Sequence, residues 1–506
     1  MTILSFSFYL LVGISLVLYW LFPRQYRWVV LLLSNGVIAW LLNDRSYVAL
    51  GLMYGMIIVA FAAGKLFDSL DEKKRLKKFV LIAFLLLEAG ILLFSKDFVY
   101  YQNLLSISSI SSRFVPPLGI SYFTLSLIGY GLDCYWNKNL VEKNPFRFLL
   151  FGSYYPMLTS GPIVRYREVG NDLVSVHAFS YETVCFGLQR ILWGMFKKLV
   201  LAERIGIIVN TIYGDPATYT GWFVWIAIFG FLLQLYADFT GSMDIIYGVS
   251  ELYGIKLPEN FDLPFMARNL SEFWRRWHIT LGAWLKNYIF YPIIKTGAFQ
   301  SFSQKTMGAF GKKWGRKIPV WCALFISWTI MGFWHGGTPK FLFVTLWFWF
   351  WIVIGEMLEP LFERVVNSLK IRTDCFSWHL FQSLRTFALV SLSAGIFRAE
   401  SLRGGLSMYK GALISKQNPW ILFDYDMWSS FGGLTIGDWF TVLLGLLILC
   451  AAAIIRLTTG RSVREWVLKQ NLVFRWGLWF FLLFAVLIWG KYGPGYNTAD
   501  FIYKGF

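Results

Sequence analysis

Phe333-Trp334-His335-Gly336-Gly337 places a histidine between two apolar runs. An imidazole there is costly unless a partner or a wet cavity receives it, and ionisable groups at membrane depth tend to mark substrate paths or chemistry. Val320–Trp334 and Phe341–Gly355, the flanking runs, are each short of the roughly 20 residues that a span requires. Gly336, Gly337 and Pro339 are expected to break the helix between them. Two placements of His335 follow. One is a broken helix end in or near the bilayer, where irregular backbone survives only beside protein or water; the other is a loop at the membrane surface.

A second histidine, His278, lies in Phe261–Ile293. With Ser271 as a cap, Trp274, His278, Leu281 and Leu285 fall along one face of an amphipathic helix lying partly at an interface. Glu272 stands one turn before Arg276, at ion-pair spacing. A lone histidine on an apolar face is more often a packed core residue than a catalyst. Two histidines, each directly after a tryptophan (Trp277 and Trp334), carry more weight.

Asp238 follows the apolar run Trp222–Tyr236 and shares a helical face with Gln234 and Ser242, whereas Asp244 is turned well away. Both carboxylates are expected to satisfy buried arginine or backbone groups, with substrate positioning second. Neither acid has a histidine at matching spacing, so no metal site is expected. His177 and His379 sit in mixed polar stretches and read as surface residues. Five scattered cysteines, with no CxxC, suggest neither a disulfide framework nor a zinc site.

The elements that must position these residues are membrane helices. The 506 residues are 57% hydrophobic and only 15% charged, well below the roughly 25% charged content of soluble domains. The chain reads as an all-α integral membrane protein, one polytopic domain over residues 1–506. About ten to twelve crossings are expected, with re-entrant or interfacial helices added. Ile3–Phe22 lacks a basic n-region and a small-residue cleavage site, so it reads as a retained helix rather than a signal peptide. The net charge of +18 is explained by positive cytoplasmic loops rather than by nucleic-acid binding. Arg24 and Arg27 fall on one side, Asp44 and Arg45 on the other, and Lys73–Lys78 return to the first. That alternation puts the N-terminus outside, and the basic loop from Arg456 to Arg475 sends the C-terminus outside too.

Asn137–Arg147, Val164–Thr183, Lys295–Lys317 and Ala399–Asp438 read as loops. Lys295–Lys317 carries Lys305, Lys312, Lys313, Arg316 and Lys317 against no acid, a positive-inside signature with an acyl-donor landing site as the lesser reading. Phe148–Met157 is too short to span and reads as re-entrant, followed by Ser160-Gly161-Pro162. No Walker A or GxGxxG phosphate-binding fingerprint occurs.

FWRRWHITL around His278 and GFWHGG around His335 resemble the signature pair of the membrane-bound O-acyltransferase family. Pro117–Thr124, Tyr154–Pro156, Ser160–Tyr166, Trp193–Lys198, Tyr236–Asp244 and Phe397–Ala399 resemble further family blocks, in order. Tyr492–Tyr496 and Phe501–Tyr503 resemble the branch that O-acetylates alginate. The resemblance runs from about Pro117 to the C-terminus; the first helices carry none of it.

What the resemblance implies is acyl transfer to a hydroxyl, with His335 catalytic and His278 a second important histidine. It also implies helices around a central tunnel where a cytoplasmic donor, acetyl-CoA, meets an extracytoplasmic polysaccharide. A partner protein that finishes the transfer is part of that implication. Histidine chemistry is compatible, since a hydroxyl benefits from a base tuned near neutrality and the oxyanion needs donors. His278, the Trp334 indole and backbone N–H groups near Gly336 are candidates for that second role. Trp274, Trp277, Trp334, Asp238 and Pro162 are the expected substrate contacts. D-alanylation of teichoic acid from a carrier-protein thioester is the rival within the family. A transporter without chemistry, built on broken helices, is the rival outside it, and a degenerate scaffold is disfavoured by the presence of both histidines.

Overall fold

A computed structural model describes residues 1–96 and 116–492. The described residues are helical, with one isolated bridge, Phe261 to Trp277, and no strand. Nine of their helices are long and apolar enough to cross a membrane, and the 16-residue apolar helix Phe6–Leu21 is a shorter tenth candidate. The C-terminal motif from Gly493 onward lies outside the described residues. Two compact units divide the chain: residues 1–200, 237–258 and 450–506, and residues 201–236 and 259–449.

In the first unit, serines cap the entries into the bilayer. Ser5 Oγ accepts from the Phe8 N–H at 3.3 Å, and Ser46 Oγ from the Ala49 N–H at 3.2 Å, each satisfying a donor that a helix start leaves open. Within hydrocarbon, polar side chains must find one another. Tyr155 OH lies 3.0 Å from Tyr253 OH, which donates to Ser15 Oγ at 2.9 Å; Ser15 in turn donates to Ser34 at 2.8 Å. Asn35 accepts from the Tyr155 N–H and donates to Leu150 O. These bonds seat the short helix Pro145–Gly152 and the turn Tyr155–Met157, with Phe148, Phe151, Tyr154 and Tyr155 fully buried. This segment is packed inward and too short to cross a membrane.

The helices Tyr181–Met195 and Trp222–Leu252 approach through two glycine pairs. A Cβ on Gly194 would lie 2.5 Å from Gly241 O, and one on Gly248 the same 2.5 Å from Gly187 O. Backbones that close leave no room for a side chain. Gly194→Val is expected to lower stability by about 1–3 kcal/mol, measured as a fall in melting temperature in detergent. An unchanged melting temperature would mean that the helices part without cost. Their close approach sets Arg190 and Lys197 on Asp244, at 2.9 and 2.5 Å, and Arg190 on Glu251, which Arg464 also reaches at 2.6 Å.

The second unit holds His278 and His335. Its packing includes the Ile208, Ile212, Phe223, Ala227, Phe431 and Leu434 cluster, and helices Glu203–Gly214 and Ile436–Thr459 are pinned where Arg204 meets Asp438 at 2.8 Å.

Three expectations are corrected. Lys295–Lys317 is not a loop: Thr296 caps the first of two helices that fill Gly297–His335 and meet at a non-helical Gly311. Its charged residues hold helical backbone outside the apolar stretch, because lysine and arginine are good helix formers. Ala399–Asp438 likewise contains the helix Leu402–Ile414, capped by Ser401. His177 is half-buried rather than on the surface, its Nε2 being 2.8 Å from Asp172 O.

Candidate functional site

Segment 260–285 does not form one helix. Asn269, not Ser271, caps Leu270–Arg276, its side chain accepting from the Glu272 N–H at 2.8 Å. Glu272 pairs with Arg276 at 2.9 Å, as its spacing predicts. The helix then stops. Trp277 is extended, His278 adopts left-handed backbone at φ 48°, ψ 51°, and a second helix runs Ile279–Leu285. A non-glycine residue in that region is unfavourable and needs surrounding structure to hold it.

The strap Asn260-Phe261-Asp262 supplies that structure. The Asp262 N–H donates to Arg276 O at 3.0 Å, and Ile279 N–H donates to Asn260 O, also at 3.0 Å. Asn260 Oδ1 accepts from both the N–H and the hydroxyl of Thr280, at 3.0 and 2.8 Å. Asn260 thus caps the second helix from a distance, a role that His278 at the cap position does not fill. His278 is 2% exposed.

His335 is the last residue of Gly297–His335. Gly336 ends that helix at φ 152°, donating to Gly332 O and Phe333 O, and a Cβ there would meet Phe341 at 2.8 Å. Pro339 starts the next helix, Pro339–Met357. The histidine is therefore buried at a helix end, not carried on a free loop; it is 8% exposed.

The Trp334 indole joins the two histidines. Its ring centroid lies 6.2 Å from that of His278 and 4.8 Å from that of His335, both at steep angles. Phe397 stands perpendicular to His335 at 5.5 Å and Phe341 is stacked near it at 6.1 Å. Trp274 packs edge-on against Trp328 and Phe348, at 5.0 and 4.8 Å. Trp277 is wedged between Phe261 and Phe273. An apolar wall of this kind excludes water and strengthens any polar interaction inside it.

Burial pushes the His278 imidazole down to about 3. In the folded chain it is neutral, while in the unfolded chain it protonates near 6.5. Acidification through that window loads protons onto the unfolded chain alone, so stability holds above about pH 6.5 and falls as pH drops towards about 3. His278→Gly keeps the left-handed backbone without strain and is expected to flatten this part of a melting-temperature profile. An identical slope in the variant would contradict the assignment.

His278, Trp274, Trp277, Trp334 and His335 thus share the second unit. Asp238 and Pro162 belong to the first. Asp238 is 1% exposed and accepts from Lys198 Nζ at 2.5 Å, a lysine partner that the expectation did not include. Pro162 lines a cavity with Tyr122, Phe123, Phe151, Tyr154 and Met157. The residues that sequence reasoning missed are Asn260 and Phe341. Phe397 was visible as part of the Phe397–Ala399 block, whereas Asn260 carries no signal apart from its distant pairing.

The family model for membrane-bound O-acyltransferases matches residues 137–387, about half of the chain, and both histidines lie inside it. A probable alginate O-acetylase of Pseudomonas syringae pv. tomato is 28% identical over 299 residues, 59% of this chain and 52% of that one. A peptidoglycan O-acetyltransferase of Helicobacter pylori is 28% identical over 324 residues, 58% of this chain and 56% of its own. A teichoic acid D-alanyltransferase of Bacillus subtilis is 31% identical over 234 residues, 44% and 55% respectively. The chain spans about half the length of these relatives. The paired FWRRWHITL and GFWHGG motifs, the helical membrane architecture and these matches together place the chain in the membrane-bound O-acyltransferase family.

Proposed function

We propose that the protein is a multi-pass cell-membrane O-acyltransferase that moves acetyl from cytoplasmic acetyl-CoA toward hydroxyls of an extracytoplasmic polysaccharide, with a partner protein completing delivery. The observation that carries this reading is the pair His278 and His335 held against one indole, Trp334, inside the matched region. His335 takes the acceptor hydroxyl's proton as that oxygen attacks the thioester carbonyl. The C–S bond then breaks, and the proton passes to the departing thiolate. His278, neutral through burial, orients the substrate or donates an N–H to the oxyanion. Trp274, Trp277 and Trp334 wall the reacting groups from water, and Pro162 shapes the path of the donor's pantetheine arm. Asp238 stands as a structural partner of Lys198.

D-alanyl transfer from a carrier-protein thioester is a second reading, favoured by the 31% identity to the Bacillus subtilis relative. The discriminating experiment offers purified protein in liposomes either acetyl-CoA or a D-alanylated carrier protein and follows thiol release. Turnover with acetyl-CoA supports the acetylation reading. Turnover with the carrier thioester alone replaces it with D-alanylation. Concentrative uptake that survives loss of both histidines would favour a transporter instead.

A further inference from the structure

Two cations stand beside the rings that touch His335, with the exposed Glu400 as the acid that acts on both. Lys340 is the second residue of the Pro339–Met357 helix, one position before Phe341, and its Nζ lies 4.8 Å from that ring's centroid. It donates to Ala399 O at 2.8 Å. Arg398 follows Phe397, lies 5.3 Å from the Tyr213 ring centroid and donates to Asn210 Oδ1 at 2.7 Å. Phe341 and Phe397 are the same two rings that touch His335. Lys340 and Arg398 are close enough to repel each other, and each is half-buried. Among the described residues neither has a carboxylate at ion-pair distance; Glu400, which both feel, is exposed. Lysine has three N–H donors and arginine five, so most are unspent.

The start of the Pro339–Met357 helix adds to this field. Thr338 makes no side-chain cap to that 19-residue helix, though its carbonyl accepts from the Phe341 N–H at 3.1 Å, and the positive end of the helix dipole attracts anions. Like charges held together beside a helix start favour a bound anion there.

The same hairpin tells which side this is. Lys312, Lys313, Arg316 and Lys317 lie at the far end, from His335, of the helix that follows Gly311. Lys317 meets Glu359, just past the end of the returning helix, at 3.5 Å. From Lys317 to His335 the helix rises about 27 Å at 1.5 Å per residue, close to the thickness of the hydrocarbon core. Basic ends face the cytoplasm, so Lys340 and Arg398 face the acceptor rather than the cytoplasmic donor.

We propose that Lys340, Arg398 and the amino-terminal turn of Pro339–Met357 form an anion subsite for the acceptor, binding a carboxylate or phosphate next to the hydroxyl that His335 handles. The subsite rests on the acyl-transfer reading for its purpose. Its chemistry is tested by binding alone, so the two can fail separately.

The experiment uses the full-length protein in phosphatidylcholine liposomes. The probes are a short uronic-acid oligomer, its methyl ester and an oligomer of glycerol phosphate. Wild type is expected to bind the charged oligomers at least about tenfold more tightly than the ester, with the advantage shrinking in salt. The tighter of the two charged probes identifies carboxylate or phosphate as the preferred group. Lys340→Gln and Arg398→Gln should each erase most of the advantage, and Lys340→Arg should keep it. In a transfer assay the Gln variants should raise the acceptor KM and leave the donor KM in place. Binding of neither charged oligomer more tightly than the ester by wild type would overturn the subsite, as would an advantage that survives in both Gln variants or a shift in donor KM instead. Charge-dependent binding with no transfer to any oligomer would leave the subsite standing and defeat the acyl-transfer reading.

Discussion

His335→Gln is expected to slow acyl transfer by about 10²–10⁴-fold, the range that a positioned general base supplies. Glutamine fills similar space and can hydrogen-bond, yet it cannot take a proton. The histidine is 8% exposed at the end of a helix, and its ring lies among Trp334, Phe341 and Phe397. Packing at that position should therefore survive the change. Single-turnover release of the donor thiol reads the chemical step, and the melting temperature reads the fold. A large loss of rate at nearly constant melting temperature is the expected pattern. Loss of both together would make His335 a packing residue and nothing more.

Lys198→Met should be the most destabilising of the substitutions considered. The Lys198–Asp238 pair is 3% and 2% exposed at the side chains, with 2.5 Å between Nζ and Oδ1. Removing one member leaves the other charge buried with a lost partner, which costs about 3–5 kcal/mol. Replacing both, as in Lys198→Met with Asp238→Leu, removes both desolvation costs and should recover most of that loss. The pair of measurements also decides what Asp238 is for. If the double variant melts near wild type and still transfers acyl groups, the carboxylate is structural. If it melts near wild type and has lost transfer with a raised donor or acceptor KM, Asp238 positions substrate.

Some of the site was legible in the residues. The end of the His335 helix follows from Gly336, Gly337 and Pro339, whose backbone limits act within a few residues. The Glu272–Arg276 pair follows from helical spacing. His278 shows the opposite case. Its face was read from a continuous period, but the strap through Asn260 breaks the helix at Trp277 and forces left-handed backbone. No local pattern announces a cap supplied from 20 residues upstream. Lys295–Lys317 failed for another reason, since hydropathy separates apolar from polar and does not separate a polar helix from a loop. Asp238 was rightly read as charge-paired, but its lysine partner lies 40 residues away in sequence.

The central claim is that His335 drives transfer of an acyl group to a hydroxyl. The most direct measurement reconstitutes wild type and His335→Gln in liposomes with acetyl-labelled acetyl-CoA and a polysaccharide acceptor. It follows label onto the acceptor together with CoA release. The account predicts matched label transfer and CoA release in wild type, and near-complete loss of both in the variant. Label transfer by the variant at the wild-type rate would contradict it.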